Sequence, residues 1–357
     1  MITRQATFTS PPSKAIKYIK CIVWDLDNTI WDGILLEGED VALRPGIIDI
    51  ITTLDERGIL HSIASRNDQQ AAERKLEQLG LREYFLYPQI NWGVKSSSIQ
   101  TIAKELNLGI DAFLFVDDQP FEREEVEFAL PGLRCHPAEQ VETLLSMPEL
   151  MPPVITEDAK QRRVMYKNDG FRKDAEQSFE GPTEAFLRTL DMEFCIAPAH
   201  EEDLLRAEEL TVRTHQLNTT GNTYSLEELD AFRQADDHLL LITSLHDKYG
   251  SYGKIGLALV EKGVKYWRLK LILMSCRVMS RGVGSIMLAH IMQMAREANV
   301  RLRADFRVTD RNRMMYVTYK FIGFQEVEQQ GEYIILEHDL QHIPAIPDYV
   351  QVHVENS

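Results

Sequence analysis

The sequence predicts an α/β protein of two units: a doubly wound parallel sheet, followed by an α+β unit with a mostly antiparallel sheet. Three observations lead to this prediction. Short apolar runs alternate with amphipathic helices up to about residue 145, three prolines fall within 147–153, and strand patterns follow one another directly after that stretch. The 357 residues are enough for two domains with a sizeable core each. We expect a flexible arm at 1–15 and domains at 16–150 and 151–357.

The first domain alternates regularly enough to predict its elements one by one. Apolar, β-branched runs predict strands at 19–24, 59–64 and 112–116. Helical spacing of apolar residues predicts helices at 45–57, 69–79 and 96–106, and a glycine or asparagine follows each of them. Such strand–helix–strand units build a parallel sheet, and ligands of these sheets bind beyond the carboxyl ends of the strands.

The second domain has a different pattern. The charged segment 157–174 predicts a surface helix, and the segment 285–299, rich in Met and Ala, predicts a long helix. Four strands are predicted, at 192–196, 239–245, 255–260 and 266–273. The last three are separated by short connections, which favours an antiparallel arrangement.

Composition excludes several classes of function. The chain has 39 basic and 55 acidic side chains, a net charge of −16, so we expect no general binding to nucleic acid or to an anionic membrane. The four cysteines lie far apart with no histidine cluster beside them, which argues against a zinc site or a disulfide framework. No apolar run approaches the roughly 18 residues of a membrane span. A cytoplasmic enzyme is expected.

Polar residues follow each predicted strand of the first domain. Asp25 and Asp27 follow the first strand, Ser65 the second, and Asp117 with Asp118 the third. One acidic pair after a strand is usually only a helix cap or a solvated turn. Several carboxylates at one sheet edge repel one another unless a cation lies among them, and hard oxygen ligands of this kind suit Mg²⁺.

The parts of such a cluster predict phosphoryl chemistry. One carboxylate can attack phosphorus and carry the phosphoryl group as an acyl phosphate, while a second, two residues on, exchanges protons with the leaving oxygen and with water. A hydroxyl and a lysine, such as Lys95 in the predicted loop 91–95, can hold the oxygens that do not react.

The motifs resemble those of a known superfamily. The segment DLDNT at 25–29 resembles the DxDxT signature of the haloacid-dehalogenase phosphatases and phosphotransferases, and the later polar residues fall where its other motifs belong. The resemblance implies that Asp25 is the nucleophile and Asp27 the acid/base. It implies a phosphate site formed by Ser65, Arg66, Asn67 and Lys95. It also implies bound Mg²⁺, held by Asp25, the Asp27 carbonyl, Asp117 and Asp118.

Neighbouring residues narrow the resemblance. The segments VWDLDNTIWDG, INWGVKSSSIQTIAKELN and FVDDQPFEREEV are similar to the FkbH-like branch (subfamily IIIC), which serves polyketide pathways. This implies that the glyceryl unit of 1,3-bisphosphoglycerate, a phosphorylated three-carbon acid, is dephosphorylated and loaded on an acyl carrier protein. It also implies a C-terminal acyltransferase-like domain.

The chain departs from that branch at one position. The cysteine expected to hold the glyceryl group as a thioester is Ala64 here. Either the acyl group passes directly to the carrier, or the protein is a phosphatase of a free or carrier-bound phosphate monoester. A non-catalytic protein that docks carriers is a third reading, which the intact set of carboxylates disfavours.

The site is expected to be open. Only 37 residues separate Asp27 from Ser65, and most of them belong to the helix predicted at 45–57, which leaves no room for a large cap domain. An open site suits a substrate tethered to a large partner.

Two features of the second domain predict binding sites. The loop containing Arg281, Gly282 and Gly284 resembles the acetyl-CoA loop of GNAT-type N-acyltransferases, although Met279 breaks the pattern; it is a candidate loop for CoA or pantetheine. A tight turn that needs glycine explains the same residues equally well. Arg301 and Arg303 fall on one face of a predicted strand and are candidates for docking an acidic carrier protein, or ordinary surface arginines.

Overall fold

A computed structural model describes residues 17–38 and 41–355. The arm predicted at 1–15 lies outside the described residues. The chain divides into two compact units, the first ending at Pro153 and the second beginning at Val154; the sequence analysis had put this boundary after residue 150. None of the described helices is long and apolar enough to cross a membrane.

The first unit is built on a five-stranded sheet. Its elements are β1 (Cys21–Trp24), β2 (Trp31–Asp32), β3 (Ala42–Leu43), α1 (Ile47–Glu56), β4 (Leu60–Ser65), α2 (Gln69–Gln78), β5 (Gln89–Ile90), α3 (Lys95–Leu106), β6 (Phe113–Asp117), α4 (Pro120–Ala129) and β7 (Arg134–Pro137). The strand order is β5-β4-β1-β6-β7, and every pairing is parallel. Strand β1 lies at the centre, and later strands are added on both sides of it, which confirms the predicted doubly wound sheet.

Local sequence explains where these elements begin and end. All four residues of β1 are buried, as expected for a strand covered on both faces. The Asp68 side chain accepts a hydrogen bond from the Ala71 N–H and so caps α2. Helix α3 ends at Asn107, which adopts the left-handed conformation with φ 51°. Between β1 and β4 lie only the β2–β3 pair, a short 3₁₀ turn and α1, so a large cap is absent from this stretch of the described chain.

The second unit is built on an eight-stranded sheet. Its elements are α5 (Glu157–Lys160), α6 (Arg162–Gln177), α7 (Thr183–Arg188), β8 (Met192–Pro198), α8 (Leu204–Arg213), α9 (Leu226–Gln234), β9 (His238–Asp247), β10 (Gly250–Lys262), β11 (Tyr266–Met274), α10 (Val283–Glu297), β12 (Arg301–Arg307), α11 (Arg313–Ile322), β13 (Gln325–Gln330), β14 (Tyr333–His338) and β15 (Val350–Val354). The order is β13-β14-β12-β11-β10-β9-β8-β15; β11–β12 and β8–β15 are parallel and the other pairs antiparallel. The predicted α+β class is confirmed.

Helices cover both faces of this sheet. On one face, Ile286 and Ile291 of α10 and Tyr319 of α11 join the larger apolar core. On the other, Leu210 of α8 and Leu229 of α9 belong to a separate core with residues of β9, β10 and β11. Apolar residues therefore alternate between two cores along the central strands, as a two-sided sheet requires.

The structure corrects the helix predicted at 157–174. It consists of two helices, α5 and α6, and it is not a surface helix throughout. Arg162, Met165 and Arg172 of α6 are buried, because acidic side chains elsewhere in the unit neutralise the two arginines. The charged composition suggested a solvated face, and the burial of these arginines depends on partners distant in sequence.

Candidate active site

Sheet topology brings the predicted polar residues of the first unit together. In β1, Trp24 is paired with Ile63 of β4 on one side and with Val116 of β6 on the other, so the three strands end at the same edge. Asp25 follows β1 directly, Ser65 is the last residue of β4, and Asp117 is the last residue of β6. Because the parallel strands are in register, these side chains lie close together at one edge of the sheet.

Lys95 lies at the centre of this edge. It was expected in a loop but is the first residue of α3, with its side chain only 5% exposed. Its Nζ atom lies 2.6 Å from Asp25 Oδ1, 2.5 Å from Asp117 Oδ2 and 2.8 Å from Glu122 Oε2. One ammonium group is thus surrounded by three buried carboxylates.

Burial and the neighbouring charges shift the pKa values of Asp25, Asp117 and Lys95. Burial raises the pKa of Asp25, although Lys95 and the Ser65 hydroxyl offset part of the shift. Burial raises the pKa of Asp117 to about 6, also against the effect of Lys95. Burial alone would lower the pKa of Lys95, but Asp25 and Asp117 raise it above its ordinary value. A further cation would stabilise the cluster.

Oxygen ligands for such a cation are present at the same edge. Carboxylate oxygens of Asp25, Asp117 and Asp118 lie within 4.8 Å of one another. Asp118 Oδ1 is buried without a hydrogen-bond partner among the described residues, an arrangement that costs free energy unless a ligand binds there. Burial, followed by the neighbouring Asp117, raises the pKa of Asp118. The residues present therefore fit the predicted Mg²⁺.

Asp27 lies in a different environment from Asp25. Its Oδ1 accepts hydrogen bonds from Trp31 Nε1 at 2.7 Å and from the Leu35 N–H at 3.1 Å, and its Oδ2 accepts one from Asn67 Nδ2 at 3.0 Å. Three donors hold this carboxylate in one orientation. Asn67, which the sequence analysis assigned to phosphate, donates to Asp27 and accepts a hydrogen bond from the Asp68 N–H. Trp31 was not predicted as a partner of Asp27.

Arg66 and Glu122 form an ion pair beside Lys95. Arg66 Nη1 lies 2.9 Å from Glu122 Oε1, and its Nε donates to the Gly93 carbonyl at 3.2 Å. Sequence reasoning missed Glu122. Its one signal is its position four residues after Asp118, in the first turn of α4, where the run FEREE looks like an ordinary solvated helix face.

The candidate ligand loop of the second unit is in contact with other side chains of the same unit. Gly282 caps α10 with φ 75°, and a Cβ placed on it would lie 2.5 Å from the Tyr349 hydroxyl. The buried Arg281 pairs with Glu176 at 3.2 Å. Gly284 is the second residue of α10 and lies against Met274. The requirement for a positive φ accounts for glycine at 282 without a ligand.

The candidate docking arginines share one acidic partner. Arg301 Nη1 lies 3.0 Å from Glu337 Oε1, and Arg303 Nε lies 2.7 Å from Glu337 Oε2. The Arg303 guanidinium also lies 4.4 Å from the centre of the Tyr266 ring. Glu337 therefore offsets part of the positive charge on which the docking prediction relied.

Fold and site together describe a doubly wound α/β unit with a cluster of carboxylates at its sheet edge, followed by an α+β unit. No family model matches the chain. Magnesium-dependent phosphatase 1 of Homo sapiens is 26% identical over 135 residues, which cover 32% of this chain and 76% of that protein.

Two solved structures are similar to parts of the chain. The N-terminal part of a Bacteroides fragilis protein, which contains a phosphatase domain complexed with Mg, is 31% identical over 37% of this chain and 40% of that chain, with a TM-score of 0.32. The Escherichia coli ribosomal-protein-S18-alanine N-acetyltransferase is 17% identical over 40% of this chain and 92% of that chain, with a TM-score of 0.33. The name of the human relative includes magnesium, the cofactor that the sequence analysis predicts.

Proposed function

We propose that the first unit is a Mg²⁺-dependent phosphatase that hydrolyses phosphate monoesters through Asp25. The observation that carries this proposal is the sharing of Lys95 Nζ by the buried carboxylates of Asp25 and Asp117 at 2.6 and 2.5 Å. Such a cluster is electrostatically unfavourable without a cation and serves no evident packing purpose. The name of the human relative supports the same activity.

The residues have separate roles in the proposed reaction. An Asp25 oxygen attacks phosphorus, the ester P–O bond breaks, and Asp27 gives a proton to the leaving alkoxide. Asp27 then takes a proton from the water that attacks the acyl phosphate, which releases inorganic phosphate and restores Asp25. Ser65 and Lys95 hold the phosphoryl oxygens that do not react.

Mg²⁺ would be held by Asp25, Asp117, Asp118 and the Asp27 carbonyl, and would offset the negative charge of the phosphoryl group. The three hydrogen bonds to the Asp27 carboxylate support its proton-transfer role, since they orient it independently of Lys95.

Release of phosphate from p-nitrophenyl phosphate tests this proposal. The wild type should release phosphate with Mg²⁺ and not with EDTA, and Asp25→Asn should be inactive. Glu77→Gln removes an exposed carboxylate from the end of α2 and serves as the control. Asp25→Asn turnover within a few-fold of wild type would remove Asp25 from the role of nucleophile.

A narrower proposal is that the substrate is 1,3-bisphosphoglycerate and that the glyceryl unit is loaded on an acyl carrier protein in polyketide biosynthesis. It is supported by the resemblance of the motif segments and by the second, acyltransferase-like unit. Because Ala64 replaces the expected cysteine, the carrier thiolate would attack the acyl-phosphate carbonyl directly, with phosphate leaving from C1. None of the four cysteines, all of which lie within the described residues, forms a disulfide.

The cysteines of the first unit argue against an enzyme-bound thioester. Cys21 is buried in β1, and burial raises its pKa well above the ordinary value. Burial also raises the pKa of Cys135 to about 12, so neither thiol ionises readily. This favours direct transfer or a plain phosphatase acting on a free or carrier-bound monoester over a covalent glyceryl enzyme.

Intact-protein mass spectrometry separates these alternatives. A phosphopantetheinylated carrier incubated with enzyme, Mg²⁺ and 1,3-bisphosphoglycerate should gain the mass of a glyceryl group if loading occurs. Phosphate release without that mass leaves the plain phosphatase. Carrier binding without phosphate release would support the non-catalytic docking protein.

A further inference from the structure

Glu122 is a buried carboxylate held between two cations at the edge of the proposed phosphatase site. It lies in the first turn of α4 and is 4% exposed. Each of its oxygens faces a different cation: Oε1 lies 2.9 Å from Arg66 Nη1, and Oε2 lies 2.8 Å from Lys95 Nζ. Glu122 is four residues beyond Asp118 and does not belong to the candidate cation site formed by Asp25, Asp117 and Asp118.

The contact between Glu122 and Lys95 is an ion pair without hydrogen-bond geometry. Lys95 Nζ donates its hydrogen bonds to Asp25 and Asp117. Glu122 Oε2 is buried and accepts no hydrogen bond from any described group, although it lies within reach of the same ammonium. A buried carboxylate oxygen in this condition is an acceptor that awaits a donor.

We propose that Glu122 is a positioning residue that accepts the Lys95 hydrogen bond when Asp25 and Asp117 serve as ligands of a divalent cation. The inference rests on the proposed phosphatase function and adds how the site keeps Lys95 in place. Arg66 fixes the other oxygen of Glu122 and is itself fixed by the Gly93 carbonyl, so the acceptor is held still.

Charge explains why the site needs this residue. An ammonium group and a divalent cation compete for the same oxygens of Asp25 and Asp117, because both carboxylates contact Lys95 directly. A third carboxylate beside the ammonium resolves the competition. It leaves Lys95 charged and close to the phosphoryl position while the two aspartates turn to the metal. Without Glu122, Lys95 would remain with the aspartates and weaken cation binding.

Isothermal calorimetry with Mg²⁺ on the full chain tests the proposal independently of turnover. Glu122→Gln keeps the shape of the side chain and removes its charge, and we expect about tenfold weaker Mg²⁺ binding. Glu124→Gln removes an exposed charge from the same helix and should bind Mg²⁺ within twofold of wild type. The thermal midpoint of each variant verifies folding.

A second variant keeps the test decisive. Glu122→Asp retains the carboxylate and should recover most of the lost Mg²⁺ affinity, together with kcat for p-nitrophenyl phosphate. Wild-type Mg²⁺ affinity in Glu122→Gln, equal losses in Glu122→Gln and Glu124→Gln, or no recovery in Glu122→Asp would each overturn the proposal. If the wild type binds Mg²⁺ but releases no phosphate, the proposed function fails while the calorimetric comparison still decides the role of Glu122.

Discussion

In the first unit one lysine lies among three carboxylates, whereas in the second unit one glutamate lies among three arginines. Lys95 contacts Asp25, Asp117 and Glu122. Glu209 of α8 contacts Arg162, Arg206 and Arg213, and it also accepts a hydrogen bond from the Thr156 hydroxyl at 2.7 Å. Both clusters are buried, and their charge ratios are opposite.

The pKa shifts differ accordingly. In the first cluster, burial raises the pKa of Asp25 and of Asp117, and Lys95 offsets only part of each shift. In the second, burial alone would raise the pKa of Glu209, but the three arginines lower it far below its ordinary value. A carboxylate paired with several cations serves to hold elements together, whereas carboxylates that lack enough cations are candidates for binding one.

The largest expected difference concerns Asp25→Asn and Glu209→Gln. Asp25→Asn should reduce phosphate release by at least about a thousandfold, since it removes the nucleophile and a metal ligand. Thermal stability should hold or rise, because the change relieves carboxylate repulsion. A phosphate assay and a melting curve on the same preparation measure both effects.

Glu209→Gln should do the reverse. It removes the charge of the carboxylate that Arg162, Arg206 and Arg213 share and should destabilise the second unit by roughly 3 kcal/mol, with phosphate release unchanged. Glu208→Gln, one residue earlier and without an arginine contact of this kind in the described structure, is the matched control. Equal stability of the two variants in urea denaturation would contradict a structural role for the arginine cluster.

Metal removal should affect the first cluster alone. EDTA should stop phosphate release and Mg²⁺ should restore it, because the carboxylates around Lys95 need a further cation. Acetyl-CoA should leave the rate unchanged, since Arg281 is paired with Glu176 and Tyr349 lies against Gly282. Acetyl-CoA binding by calorimetry together with acetylation of an amine would refute the second half of this prediction.

Lowering the pH should change the stability of the two clusters in opposite directions in the metal-free protein. The pKa of Asp117 is about 6 when folded and 3.8 when unfolded, so the folded state binds more protons in between. Stability of the first unit should therefore rise as pH falls from about 6 to 4, by on the order of 1 kcal/mol. The lowered pKa of Glu209 has the opposite effect, and its stabilisation should be lost only as pH falls below about 4.5. Calorimetric scans in EDTA across this range measure both trends.

The smallest expected effect concerns carrier docking. Arg301→Glu together with Arg303→Glu should raise the apparent KM for carrier protein by a few-fold at low salt, because Glu337 already offsets part of their charge. Hydrolysis of p-nitrophenyl phosphate should not change. Carrier loading at the wild-type rate in this double variant at low ionic strength would exclude these arginines as the docking surface.

Much of the fold could be predicted from the sequence because its elements are locally encoded. The strands β1, β4 and β6 are short apolar runs, and the helices between them are followed within two residues by Gly58, Gly80 and Asn107. The charged helix at 157–174 could not be predicted correctly. The burial of Arg162 depends on Glu209, a residue about fifty positions away.

In the candidate active site, too, some neighbours could be predicted from the sequence and others could not. Asp25, Ser65 and Asp117 could be predicted as neighbours, since parallel strands in register place their carboxyl ends at one edge. The partners of Asp27 could not, because Trp31 and Asn67 reach it only through the conformation of the loops.

By itself the sequence determined the three central strands and the helices between them in the first unit, and which polar residues end those strands, since apolar periodicity and turn residues act over a few positions. Only the tertiary structure decided the partner of each charge. Glu122 and Glu209 both lie in charged helical segments that look solvated along the chain. Packing turned both toward the interior, one to a lysine shared with two aspartates and the other to three arginines. A charge is tolerated in a protein interior only by the groups around it, and those groups come from distant parts of the chain.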